Sequence, residues 1–151
     1  MNETTKYEFC SEEWVAIARA YLVDAVVDAD LSDASFGFCE EFTDPPAHLL
    51  EPGESTIGWY VSLVGGELRV EKGLLPDADI RITADYATVL PLAQIAFEDN
   101  PEAAADAQKT VEAATADGKM RREGDLTAVA KVPALAGAFA KLHDTLARRT
   151  L

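Results

Sequence analysis

Apolar and polar positions alternate most regularly between Trp59 and Glu71. Trp59, Val61 and Leu63 alternate with Tyr60, Ser62 and Val64; Gly65-Gly66 follows; Leu68 and Val70 then alternate with Glu67, Arg69 and Glu71. Side chains on a strand point to opposite faces in turn, and Gly-Gly supplies the positive φ of the primed turns, so the stretch predicts a β-hairpin. Ile80 and Ile82 mark one face of a further strand over 79–84, which runs into a helix capped by Asp85. A short strand over 119–123 ends at Gly124-Asp125. Phe36, Phe38 and Phe42 alternate with Gly37, Cys39 and Glu41, which predicts an edge or first strand.

Helical spacing flanks these strands. Ser11 can cap a helix whose first turn carries Glu12 and Glu13, and Trp14, Ala18, Leu22, Ala25, Val26 and Ala29 continue it to about Asp30. Prolines at 45, 46 and 52 with Gly53 make 43–55 a loop. Pro91 falls inside the helix after Asp85 and should kink it. Asn100-Pro101 starts an alanine-rich helix that stops near Asp117-Gly118. The last helix begins near Pro133 and aligns Leu135, Phe139, Leu142 and Leu146, with Arg148 and Arg149 at its end. The expected fold is α+β: one domain over 1–151, with helices layered on one face of a mostly antiparallel sheet of five or so strands. The hairpin and the third strand are expected to run antiparallel. Burial of these faces follows from the periodicity; a void between the layers does not.

Composition narrows the function classes. The chain has 151 residues, 48% of them hydrophobic, enough for a proper core and too many for general disorder. Its formal net charge is −14, from 27 acidic and 13 basic residues, a field that repels phosphate backbones and anionic membrane surfaces. Nucleic-acid binding is not expected. No run approaches a membrane span, and residues 1–9 are too polar for a signal peptide, so a cytoplasmic location is expected. Without heptads or a cysteine framework, a monomer or weak dimer is expected.

Candidate chemistry is sparse. Cys10 and Cys39 lack CxxC spacing and read as free thiols. His48 lies in the proline-rich loop, and His143 sits beside Asp144 at the edge of an apolar stripe; no GxSxG elbow accompanies either. No clustered Cys and His suggests a metal, and no GxGxxG or P-loop pattern suggests a nucleotide. Catalytic residues, metal and cofactor are therefore all read as none. Acidic pairs such as Asp28/Asp30 and Glu40/Glu41 read as solvated surface in so acidic a chain.

Three segments together carry a resemblance. They are Gly66-Glu67-Leu68-Arg69-Val70-Glu71-Lys72-Gly73, then Pro76-Asp77-Ala78-Asp79-Ile80-Arg81-Ile82-Thr83, then Gly118-Lys119-Met120 with Glu123-Gly124-Asp125-Leu126. In this order they resemble the sterol carrier protein 2 (SCP-2-like) family, over about half the chain directly and most of it with the helices. The resemblance implies an apolar tunnel between sheet and helices. It implies as tunnel lining Trp59, Val61, Leu68, Ile80, Ile82, Leu90, Phe97, Met120, Phe139 and Leu142. Three departures stand out: Arg122 where the family has an aliphatic residue, a longer helix over 100–118, and Pro91. Met120 and Arg122 share a strand face, so an inward Arg122 must reach the rim, pair with an acid, or meet an anionic ligand head group. The implied function is non-covalent carriage of a hydrophobic small molecule (lipid, fatty acyl or steroid-like), presented to an enzyme of lipid or steroid metabolism. Two other classes stay open: a small enzyme acting on a hydrophobic substrate in the same pocket, and a protein-interaction module.

Overall fold

The computed structural model describes residues 5–151; the first four positions of the segment read as no signal peptide lie outside the described residues. Helix α1 (Glu12–Ala25) opens where the Ser11 hydroxyl accepts a hydrogen bond from the Trp14 amide at 3.2 Å. It stops short of Asp30, the expected end. Val26-Val27 are β-branched, and Asp28 and Asp30 would place like charge against the negative end of the helix dipole. Strands β1 (Phe36–Thr43), β2 (Thr56–Val64), β3 (Glu67–Lys72) and β4 (Ile80–Asp85) follow. Helices α2 (Tyr86–Ala93) and α3 (Pro101–Ala116), strand β5 (Met120–Gly124) and helix α4 (Pro133–Ala147) complete the order.

The sheet order is β3-β2-β1-β4-β5. β1 is thus the central strand and not an edge. β4 lies parallel to it, where an antiparallel neighbour was expected; the other three pairings are antiparallel. The cause is the crossing made by the 73–79 segment. It passes over the outer sheet face, where Gly58 lies under Leu74 with no room for a side chain and Gly37 lies in tight contact under Leu75 and Ala78. Gly37 and Asp79 fasten its far end: the Asp79 amide donates to the Gly37 carbonyl and the Gly37 amide to Asp79 Oδ2, both at 2.8 Å. Outer-face Cys39 is fully buried beneath this segment and receives the Leu75 amide at 3.4 Å.

The opposite face carries the core. Register places Phe36, Phe38, Glu40 and Phe42 of β1 across from Leu63, Val61, Trp59 and Ile57 of β2. The row through Glu40 crosses all five strands as Lys72, Trp59, Glu40, Ile82 and Arg122. Helices α1 and α4 pack together, α1 over β3, while α2 lies by β4 and α3 by β5. The Trp14 indole donates to the buried Thr150 hydroxyl at 3.0 Å, tying α1 to the chain end. Asn100 precedes α3 without a side-chain cap; its amide nitrogen donates instead to the Ala96 carbonyl at 3.2 Å.

Candidate functional site

The alternation of β1 places Glu40 on the same face as three phenylalanines, and above that face the helices leave a cavity of about 680 Å³. Phe38, Glu40, Trp59 and Arg122 form its floor. Val89, Leu92 and Ala93 of α2 and Leu142 and Leu146 of α4 supply aliphatic walls, and Phe9 and Trp14 add aromatic lining. The void owes its size to α3. Its cavity side presents Ala104 and Ala107 with Val111, and such small side chains do not reach the sheet.

The 95–98 segment between α2 and α3 is held to α4. The Phe97 and Glu98 amides donate to the two carboxylate oxygens of Asp144 at 2.7 and 3.1 Å. His143 Nε2 donates to the Ile95 carbonyl at 2.9 Å, and its ring stacks on Phe97 with centroids 4.3 Å apart. His143 is thereby occupied in structure, and Asp144 bonds backbone amides away from the imidazole. His48 is exposed on the surface against Glu8.

Glu40 is the unusual group. Its Oε1 accepts the Trp59 indole N–H at 2.8 Å, and no described residue bonds Oε2. Since no fully buried side-chain oxygen among the described residues lacks a partner, Oε2 opens onto the cavity. Burial among apolar groups pushes the carboxyl up to about 7, and the Trp59 hydrogen bond only partly opposes this. Its neighbour Glu41 points the other way, pairing with Arg81 at 3.0 Å and accepting from Thr56. Reading Glu40/Glu41 as a solvated pair is therefore wrong for Glu40. The signal was present: position 40 continues the phenylalanine alternation.

Of the residues implied as lining, Trp59, Phe97, Phe139 and Leu142 border the cavity, as does Arg122, a candidate head-group contact. Val61, Ile80 and Met120 are buried in the core, while Ile82 and Leu90 pack half-buried against it. Leu68 lies in a separate depression with Val26 and Leu31. Phe9, Trp14, Phe38, Glu40 and the α3 residues line the cavity without having been singled out. Arg122 is exposed at the rim and, among the described residues, has no carboxylate partner; its neighbour Arg121 takes Glu123. The described residues contain no group of His, Cys, Asp and Glu arranged to hold a metal.

No protein-family model matches the chain, and no curated protein matches it. Solved structures do. The chain is similar to a crystal structure of sterol carrier protein 2, with a TM-score of 0.51 and 17% identity over 93% of this chain and 98% of that one. The fold is that of sterol carrier protein 2. More distant similarities include the sterol carrier protein domain 2 of Helicoverpa armigera (TM-score 0.40, 13% identity, covering 97% and 98% of the two chains). Another is palmitated SCP2L2 from Aedes aegypti (TM-score 0.39, 16% identity, covering 82% and 93%). At these identities the likeness to sterol carrier protein 2 is one of fold. No helix among the described residues is long and apolar enough to cross a membrane.

Proposed function

We propose that this protein binds and carries an elongated apolar molecule, of fatty acyl type, in the cavity between sheet and helices, and presents it to an enzyme of lipid metabolism. The carrying observation is the cavity of about 680 Å³ with aromatic and aliphatic walls, within the roughly 300–1,000 Å³ span of small-molecule sites. Binding is by burial. Each Å² of apolar ligand surface removed from water contributes about 25 cal/mol, offset by several kcal/mol of lost freedom on association. Arg122 at the rim supports an anionic head group, since a guanidinium pairs strongly with carboxylate or phosphate. Native mass spectrometry of the protein as purified from cells tests the reading. A bound lipid mass is expected; protein that neither carries a lipid nor takes up an added one contradicts it.

One observation favours a second reading. Glu40, with its carboxyl near 7, could serve as a general base on a hydrophobic substrate. Around it stand an indole donor and apolar rings, with no hydroxyl or thiol nucleophile and no paired oxyanion donors on the cavity wall. Carriage accounts for the cavity without requiring them. Recovery of the added ligand unchanged separates the two readings.

A further inference from the structure

The cavity wall is apolar except at a few points, and two of these lie in one line. Glu40 on β1 and Arg122 on β5 are both paired to Ile82 of β4, so they stand two strands apart in a single row of the inner face. Neighbouring strands are about 4.8 Å apart, which separates the two backbones by about 10 Å. Glu40 is drawn further from Arg122 by its bond to Trp59, on the opposite side of β1. The remaining polar groups on the wall are Gln108 and Glu112 on the exposed side of α3, and His143, which is held by Ile95.

A plain acyl chain does not suit this row. Seated on Arg122 and running inward, it would cover Oε2 of Glu40 with methylenes and strip it of water without giving a hydrogen bond in return. A ligand amine would satisfy an ionised Glu40 but not a neutral one. A hydroxyl satisfies both, donating to the carboxylate and accepting from the carboxylic acid.

We infer that the ligand is an acyl compound with two polar points, an anionic end held by Arg122 at the rim and a hydroxyl within the chain that bonds Glu40 Oε2. This rests on the binding function proposed above and adds the chemical class of the ligand. Glu40 is then a specificity-determining residue: it rejects unsubstituted chains and selects those oxygenated at one distance from the head.

The test is a set of stearic acids, unsubstituted or carrying one hydroxyl at successive positions, titrated against wild type, Glu40→Gln and Glu40→Leu. For wild type, one mid-chain position binds about tenfold or more tighter than stearic acid, and affinity falls for hydroxyls nearer either end. Glu40→Gln keeps a hydrogen-bonding amide and retains part of that preference, whereas Glu40→Leu reverses it in favour of stearic acid. Equal binding of all the acids by wild type, or the same preference in Glu40→Leu, overturns the inference while leaving the carrier function standing. Binding of none of them by wild type overturns both.

Discussion

Trp59 donates its indole N–H to Glu40 across directly opposed positions of β2 and β1, at 2.8 Å, inside an apolar wall. The bond orients the carboxyl and only partly offsets its desolvation, which pushes the group up to about 7.

A pH dependence of stability follows. Unfolded, Glu40 releases its proton near the ordinary 4.5; folded, it holds the proton to about 7. Between these values the native state binds more protons, so the Glu40 contribution is complete below pH 4.5, falls as pH rises through the window, and levels off above 7. The loss is on the order of 3 kcal/mol at about 1.4 kcal/mol per pH unit. Glu40→Gln removes it. Urea denaturation of both proteins should show the variant gaining on wild type from pH 5 to pH 8, and parallel curves would refute the assignment.

Gly58 allows the crossing that sets the strand order. A Cβ there would collide with the Glu40 carbonyl and lie 2.5 Å from Leu74 Cδ2. Because the first obstacle is backbone of the central strand, Gly58→Ala should destabilise by about 1–3 kcal/mol or more, as overpacking does. Thermal unfolding of Gly58→Ala beside wild type checks this, and an unchanged midpoint would refute the collision.

Much of this arrangement was legible in the sequence. The hairpin was fixed by alternation around Gly65-Gly66, and the start of α1 by Ser11, because both signals are local. The parallel β1–β4 pairing was not legible, since it depends on how 73–79 crosses the sheet over Gly37 and Gly58. The floor of the cavity could be read in part, at Trp59, and Arg122 could be placed by its alternation with Met120. Glu40 is masked by the acidity of the chain, although its period places it inward. The α3 wall was unreadable because a void is made by small side chains, and alanines carry no pattern that distinguishes a cavity from solvent.

Arg122 supplies a further prediction. Exposed at the rim and without a carboxylate partner among the described residues, it is free to meet an anionic head group. Arg122→Leu should weaken carboxylate-bearing ligands about tenfold, the worth of one charged hydrogen bond, and spare neutral ones of equal length. Equal losses for both classes, measured by competition for a fluorescent probe, would leave Arg122 with a structural role alone.

The central claim is that the cavity itself holds the ligand. Ala107 is buried on α3 and borders the void, so Ala107→Phe should place a ring in the cavity instead of the core. The decisive measurement is calorimetric titration of delipidated wild type and Ala107→Phe with whichever of the stearic acids wild type binds most tightly, each protein first shown folded by circular dichroism. The account predicts saturable one-to-one binding at micromolar affinity or better for wild type, weakened at least tenfold in the variant. Equal affinities in the two proteins, or no saturable binding by wild type, would contradict it.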